Sequence, residues 1–248
     1  MNRFAVIMAI LVVGFGAIIY FNQQEPTETG APSNHIAGEG TSGVTLIEYA
    51  DFQCPACGQY FPIVDSVKEI YGDEISFQFR HFPLIGSQPN AMSAHRATEA
   101  AGLQGKFYDM HDIIFERQQE WSQASNAAQI FEGYARELEL DIERYNADAG
   151  SSEVLATINA DRARADEQEV TGTPTFFINE ERIDNPQDPS EFFRAIDEYI
   201  ERETGEPSQN SPLNADGEID PTADNQSSDE PPEGVDLSDF VPTEEQGE

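Results

Sequence analysis

The chain has 248 residues and a formal net charge of −34, with 47 acidic side chains against 13 lysine and arginine side chains. Because no basic patch is available to neutralise phosphate groups, nucleic-acid binding is excluded as its function. Such a charge destabilises a compact state by self-repulsion unless salt screens it, and at ~1 M salt the Debye length is only ~3 Å. The composition therefore predicts a protein from a salt-rich habitat.

The amino-terminal stretch 4–21 is uninterrupted apolar sequence, close to the ~20 residues that cross a bilayer as a helix. Arg3 precedes it, Glu25 and Glu28 follow it, and the positive-inside tendency then places the amino terminus in the cytoplasm. We predict a membrane anchor or signal-anchor over residues 1–21, in a single-pass protein of the cell membrane whose main domain is extracytoplasmic. A cleaved signal peptide is the alternative, since its charged and apolar regions have a similar pattern.

The two segments that flank the main domain are polar. Residues 22–42 are rich in Gln, Pro, Thr, Gly and Ser and predict a flexible linker, in which His35 is a solvated side chain. Residues 204–248 contain many Asp and Glu, repeated Pro, Gly and Ser, and no lysine or arginine. Such a segment buries too little apolar surface to offset the entropy of ordering, so we predict a disordered acidic tail.

The first chemical motif is Cys54-Pro55-Ala56-Cys57, which contains the only two cysteines of the chain. It follows the β-branched and apolar run 44–50, a strand pattern, and Pro55 is typical of a first helical turn. The free N–H groups and the positive dipole end of that turn favour a thiolate. We therefore expect a helix from about Cys54, with Cys54 as the exposed, low-pKa thiol and Cys57 close enough to resolve a mixed disulfide.

A structural disulfide and half of a zinc site are the alternatives for this pair. A structural zinc site needs four ligands, but the chain has no second cysteine pair, and its histidines are scattered at His35, His81, His95 and His111. A disulfide that closes so short a loop adds little stability. Redox chemistry is therefore favoured, with the Cys54–Cys57 disulfide as the redox group, no other cofactor and no metal.

The second motif is Thr173-Pro174, at the head of the apolar run Thr-Phe-Phe-Ile. Proline cannot donate a hydrogen bond to a sheet, so its position needs an explanation. Either the Thr173–Pro174 peptide bond is cis, as is almost confined to proline, or a trans proline begins an edge strand. The residues alone leave both explanations open.

These two motifs, in this order, resemble the thioredoxin superfamily and most closely its DsbA-like branch, the thiol–disulfide oxidoreductases of the bacterial envelope. The resemblance covers about residues 42–203 and includes Glu48, at the position of a buried acidic residue in the family, and the run 79–84. It implies an α/β thioredoxin fold over residues 43–203. It also implies that Thr173 and Pro174 hold the backbone of the substrate protein, and that a membrane partner (DsbB-like or VKOR-like) reoxidises the cysteine pair.

Glu48 has two possible roles. If it is buried, its pKa rises and it can relay a proton to or from Cys57. The alternative is a structural carboxylate with satisfied hydrogen bonds.

The middle of the domain, residues 88–169, shows no strand pattern and much alanine, which predicts a helical insertion such as the DsbA-like branch has. His95 and His111 are interpreted as packing or surface residues, and Trp121 as a core anchor in a loop. Helices are predicted at 90–102, 106–119, 126–139 and 151–168, with a short helical turn near 141–147. The remaining elements are predicted as strands at 74–82, 175–178 and 182–183 and a helix from Asp188 to about Arg202.

The sequence therefore predicts a membrane-anchored thiol–disulfide oxidoreductase that introduces disulfides into exported proteins through Cys54 and Cys57. Ala56 departs from the strongly oxidising family members, which carry a histidine beside the second cysteine. A reductase or isomerase of the same fold is therefore one alternative. A non-catalytic protein that binds a metal through the two thiolates is the alternative from another class.

Overall fold

The computed structural model of the chain describes residues 30–186 and 188–220. Its centre is a mixed sheet of five strands in the order β1-β3-β2-β4-β5. Strands β2 and β3 are parallel, and the other neighbouring pairs are antiparallel. The strands are β1 (Ile36–Ala37), β2 (Val44–Ala50), β3 (Ile75–His81), β4 (Thr175–Ile178) and β5 (Glu181–Arg182).

The described residues form eight helices, six of them in one insertion between β3 and β4. Helix α1 (Pro55–Tyr71) connects β2 to β3, and α8 (Pro189–Thr204) follows β5. The insertion contains α2 (Ala91–Gly102), α3 (Phe107–Glu116), α4 (Gln118–Trp121), α5 (Ala127–Glu137), α6 (Ile142–Ala149) and α7 (Ser152–Glu167). The α/β fold with a helical insertion is thus confirmed, and the observed ends differ from the predicted ones by a few residues.

Helices cover both faces of the sheet. Successive side chains of a strand point to opposite faces, so each face of the sheet makes its own contacts. On one face, Phe176 of β4 packs on Phe192 of α8, with ring centroids 5.0 Å apart. On the other face, the Tyr49 hydroxyl of β2 donates to Gln168 Oε1, just after α7, at 2.6 Å. The motif Cys54–Cys57 follows the carboxyl end of β2, where it meets the start of α1.

Trp121 was expected in a loop, but it ends the short helix α4. Its side chain is fully buried, and the indole Nε1–H donates to the Ile114 carbonyl at 2.8 Å. Its role as a core anchor agrees with the prediction. The loop assignment was wrong because the polar neighbours of Trp121 concealed a single helical turn.

The predicted flexible linker is wrong for its described part, residues 30–42. Strand β1 pairs with β3, and the Ser33 N–H donates to buried Asp161 at 3.1 Å. His35, expected to be solvated, hydrogen-bonds Glu99 at 3.2 Å and stacks on Phe107 with centroids 4.0 Å apart. The partners that order this segment come from distant parts of the chain, so its own polar composition could not reveal them.

The predicted disorder after residue 204 does not hold for residues 205–220. The Ser208 hydroxyl donates to Glu74 Oε2 at 2.6 Å, Arg194 donates to the Gly217 carbonyl at 3.0 Å, and Leu213 bridges to Ile219. This segment is held by polar contacts to Glu74, just before β3, and to Arg194 and Asp197 inside α8. The rest of the predicted tail, 221–248, lies outside the described residues.

The predicted membrane anchor, residues 1–21, also lies outside the described residues. Within the part of the chain that the structure describes, none of the helices is long and apolar enough to cross a membrane.

Candidate active site

Cys54 is the N-cap of helix α1, and Pro55 occupies the first helical position. The backbone of Cys54 is extended, with φ of −68° and ψ of 123°. Its N–H donates to the Asp51 carbonyl at 3.0 Å, and its own carbonyl accepts the Gly58 N–H at 3.1 Å. The helix therefore begins where the motif predicts, and its first N–H groups are available to the Cys54 sulfur.

The two cysteines, both free thiols here, have opposite pKa shifts. A hydrogen bond from the Cys57 thiol is the main reason that the pKa of Cys54 is lowered to about 5. Burial opposes this shift, while the Thr173 side chain and the N–H groups of Cys57 and Ala56 lower the pKa further. The pKa of Cys57 is raised well above its usual value, mainly by burial. The hydrogen bond to Cys54 and the charge of Glu48 raise it further. At neutral pH the geometry thus makes Cys54 a thiolate and leaves Cys57 a thiol.

Cys54 was expected to be exposed, but its side chain is largely buried. Only 8% of its surface is exposed, against none for Cys57. The Thr173 carbonyl lies 3.6 Å from the Cys54 sulfur and covers it. Cys54 is still the more accessible of the two thiols.

The Thr173–Pro174 peptide bond is cis, which decides between the two explanations of this proline. The loop that carries it leads into β4, and β4 pairs with β2, so Thr173 and Cys54 meet although 119 positions separate them. The structure therefore brings both predicted motifs into one site. The binding of a substrate backbone by Thr173 and Pro174 stays a prediction.

Glu48 lies beneath the cysteine pair, on the middle strand of the sheet, with only 2% of its surface exposed. Its neighbours in register are Phe79 on β3 and Phe176 on β4, so its carboxyl group is flanked by aromatic rings. Burial raises the pKa of Glu48 to about 8, although the positive charge of Lys68 partly opposes the shift. Near neutral pH Glu48 is therefore mostly protonated.

The high pKa of Glu48 predicts a loss of stability as pH rises. The unfolded chain ionises this group above about 4.5 and the folded protein only above about 8, so its contribution is lost across that window. At about 1.36 kcal/mol per pH unit, the loss is roughly 3–5 kcal/mol. We expect Glu48→Gln to be more stable than the wild type at pH 8.5, and similar to it at pH 4.5, in urea unfolding. Glu198→Gln, on an exposed position of α8, is the control; an equal gain there would contradict the interpretation.

Three of the four histidines belong to one polar network that the sequence did not reveal; His81 and His95 are fully buried and His35 is partly exposed. His35 Nε2 lies 3.2 Å from Glu99 Oε2, and Glu99 Oε1 lies 2.8 Å from His81 Nε2. His81 Nδ1 then meets His95 Nδ1 at 2.6 Å, and His95 Nε2 faces an Asp51 carboxylate oxygen at 3.7 Å. The only local signal was the four-residue spacing of His95 and Glu99 on one helix, which places both on the same face.

At its inner end this histidine network reaches Asp51, in the turn that carries the cysteines. The Asp51 carboxylate, fully buried, accepts the N–H groups of Gln53 and Leu84, each at 2.8 Å. Among the described residues, no group of three or more His, Cys, Asp or Glu side chains has an arrangement suited to a metal ion. Through these contacts, the histidine network connects the active-site turn to His35, which lies near the surface.

His95 predicts a loss of stability in acid. Burial is the main reason that its pKa is lowered to about 4, so as pH falls below about 6.5 the unfolded chain takes up a proton that the folded protein does not. Stability is therefore lost from about pH 6.5 to about pH 4, by roughly 3 kcal/mol. We expect His95→Gln to be less stable at pH 7 but to lose less stability between pH 6.5 and 4.5 in urea unfolding. The same acid loss in both proteins would contradict this assignment.

A protein-family model and several solved structures agree with this fold. A family model described as thioredoxin matches residues 30–198. Oxidised BdbD from Bacillus subtilis is similar in structure, with a TM-score of 0.61 and 21% identity, over 70% of this chain and 97% of that one. A thioredoxin-like oxidoreductase from Silicibacter pomeroyi has a TM-score of 0.56 and 25% identity, over 69% and 95% of the two chains. Wolbachia pipientis α-DsbA1 has a TM-score of 0.61 and 19% identity, over 72% and 97%.

Curated relatives carry a different kind of name. The Na(+)/H(+) antiporter NhaA 1 of Mycolicibacterium gilvum is 36% identical over 168 residues, which are 66% of this chain and 26% of the antiporter. NhaA 1 of Salinispora arenicola is 39% identical over 151 residues, 60% of this chain and 22% of that protein. The chain thus spans about a quarter of the length of the curated relatives it matches, and the similarity concerns that part of them.

Proposed function

The chain belongs to the thioredoxin family, and on that premise we propose that it is a membrane-anchored, extracytoplasmic thiol–disulfide oxidoreductase that introduces disulfides into exported proteins. The observation that carries the proposal is the contrast between Cys54, with a pKa of about 5, and Cys57, buried and with a raised pKa. One thiolate with a protonated neighbour is suited to dithiol exchange. A structural thiol pair has no need of this asymmetry.

In the proposed reaction the oxidised pair accepts two electrons from a substrate dithiol. A substrate thiolate attacks the Cys54 sulfur, the Cys54–Cys57 bond breaks, and Cys57 leaves as a thiolate that takes up a proton. The second substrate thiolate then attacks the substrate sulfur of the mixed disulfide and releases the Cys54 thiolate. The substrate has gained one disulfide, and the enzyme is left as the dithiol.

Glu48, Thr173 and Pro174 have supporting roles in this proposal. Glu48, mostly protonated below its pKa of about 8, supplies the proton that Cys57 takes up and accepts it again during reoxidation. Thr173, whose carbonyl lies 3.6 Å from the Cys54 sulfur, and Pro174 hold the substrate backbone beside the reacting sulfur. Positioning of this kind makes the attack effectively intramolecular.

The low pKa of Cys54 supports the oxidising direction. A stabilised thiolate stabilises the reduced form of the pair, which makes the disulfide a stronger oxidant. The Ala56 side chain cannot supply this stabilisation, but the Cys57 thiol, the Thr173 side chain and the helix N–H groups do. Net oxidation also requires that a membrane redox partner, DsbB-like or VKOR-like, removes electrons from the dithiol.

The test uses the full-length chain, purified in detergent at high salt and oxidised before use. Mixed with a reduced, unfolded substrate that has two cysteines, it is expected to transfer about one disulfide per molecule, measured as loss of substrate thiols. Its dithiol form is expected to be a poor reductant of insulin. Fast insulin reduction without substrate oxidation would instead support the reductase. Tight copper binding without any exchange would support the metal-binding alternative.

The proposed location of the protein can be tested by membrane extraction and by labelling. Membrane anchoring is proposed from the apolar stretch 4–21 and is tested by whether the protein resists alkaline extraction from membranes. Labelling of Cys54 in intact cells by a membrane-impermeant thiol reagent tests the extracytoplasmic placement.

Ion transport is not part of the proposal, because the match to the antiporters covers about a quarter of their length.

A further inference from the structure

One side chain of the helical insertion makes direct contact with the backbone of the active-site turn. Gln118, the first residue of α4, donates from Nε2 to the Phe52 carbonyl at 2.7 Å and to the Cys54 carbonyl at 2.9 Å. A primary amide has two N–H donors, so one group serves both carbonyls. These two carbonyls lie on either side of the segment Gln53–Cys54, whose backbone torsions set the direction of the Cys54 sulfur.

Gly58 shows how closely the Gln118 amide fits against α1. A Cβ atom at position 58 would lie 2.8 Å from Gln118 Oε1 and 3.1 Å from its amide carbon. Glycine inside a helix is destabilising relative to alanine by roughly 0.5–1 kcal/mol, and the φ angle at Gly58 is not positive. The helix itself therefore gives no reason for glycine here, whereas the Gln118 amide does.

A second amide holds the same turn to the same part of the insertion. Gln53 donates from Nε2 to the Ser122 carbonyl at 2.6 Å, and its Oε1 accepts the Asn90 N–H at 2.7 Å. The insertion is thus connected to the active-site turn on both sides of Cys54. Hydrogen bonds of this kind define a conformation as well as stabilise it.

We propose that Gln118 is a positioning residue for Cys54: its amide holds the peptide groups around Cys54 so that the sulfur stays at the amino-terminal end of α1, beside Cys57. This inference rests on the proposed function and assigns to the helical insertion a part in tuning the thiol. Because Cys54 is the N-cap of α1, a small rotation of its peptide groups moves the sulfur relative to the positive end of the helix and to the Cys57 thiol. The thiolate then loses stabilisation, and the dithiol becomes easier to oxidise.

The experiment compares Gln118→Met, which removes the donors at similar volume, with Gly58→Ala, which displaces the amide from the other side. Gln104→Met is the matched control, because Gln104 also connects two parts of the insertion, through Asp141, but lies outside the active site. The pKa of Cys54 is read from thiolate absorbance near 240 nm in the reduced full-length chain. The pKa of Cys57, raised well above 9.0, keeps that group out of the same range.

We expect both active-site variants to raise the pKa of Cys54 by about one unit, a tenfold change in the thiolate equilibrium. The reduction potential should fall correspondingly, by about 30 mV for a two-electron couple. The double variant should show the same shift as either single variant, since both remove one interaction. Gln104→Met should titrate as the wild type.

Unchanged titration of Cys54 in Gln118→Met, in a protein that still exchanges disulfides, would overturn the positioning role and leave the proposed function intact. An equal shift in Gln104→Met would overturn it as well, since the effect would then be a general consequence of a looser insertion. Loss of all exchange by the wild type would instead overturn the proposed function itself. Should Gln118→Met fail to fold, Gly58→Ala decides the question, because alanine is favourable in a helix.

Discussion

Cys54→Ser is expected to abolish disulfide exchange, lowering its rate by at least about 1,000-fold, because a serine hydroxyl neither ionises near neutral pH nor forms a disulfide. Cys57→Ser has a different expected result. The Cys54 thiolate, with a pKa of about 5 in the wild type, still attacks a substrate disulfide, but no second thiol resolves the product. The Cys57 variant should therefore accumulate mixed disulfides with substrate proteins, whereas the Cys54 variant should form none.

The measurement is a non-reducing gel of each variant after reaction with a disulfide-containing substrate, with a reduced lane as the control for the adduct. The Cys57 thiol donates the hydrogen bond that contributes most to the low pKa of Cys54, and a serine hydroxyl at position 57 can donate in its place. Adduct formation by the Cys57→Ser variant should therefore remain fast at pH 6, because Cys54 is still a thiolate there. Adducts that form equally through Cys57 in the Cys54 variant would contradict the assignment of Cys54 as the attacking thiol.

Low salt is expected to destabilise the folded domain strongly. With a net charge of −34, many carboxylates lie near one another, and two like charges 10 Å apart in water repel each other by about 0.4 kcal/mol. At ~1 M salt the Debye length is ~3 Å, and such pairs are largely screened. Removal of several such repulsions amounts to roughly 2–3 kcal/mol, which in a domain of this size raises the melting temperature by about 5–10 °C.

The measurement is thermal unfolding of the full-length chain in 20 mM buffer with and without 1 M sodium chloride. Sucrose at matched osmolality is the control, because it is excluded from the protein surface but screens no charge. Salt should stabilise the domain well beyond sucrose. Unfolding that is no easier in low salt would contradict the prediction of a protein adapted to high salt.

The elements that the sequence predicted well are those with a local pattern. The strand before Cys54, the helix start at Pro55 and the alternating strand that follows depend on neighbouring residues only, and their observed bounds agree with the prediction. The insertion helices have apolar stripes of their own, so they too were predictable. The burial of Glu48 was implied only by the family resemblance, because the residues around it left both of its possible roles open.

The features that escaped prediction depend on partners far away in the chain. His35 has no local signal; it is ordered by Glu99 and Phe107, and the segment around it forms an edge strand of two residues. Gln118 is one glutamine among polar neighbours, and only the fold reveals that its amide reaches the Cys54 carbonyl. Polar side chains that act through such contacts leave no periodicity in the sequence, because each makes a single specific interaction.

The most direct test of the central claim is the reduction potential of the Cys54–Cys57 pair in the full-length chain, equilibrated against glutathione buffers at high salt. A Cys54 pKa of about 5 lies between about 3.5 for DsbA and about 7 for thioredoxin. The potential should accordingly lie above roughly −200 mV, on the side of DsbA at roughly −120 mV. A value near that of thioredoxin, roughly −270 mV, would contradict the oxidising function and identify the protein as a reductase.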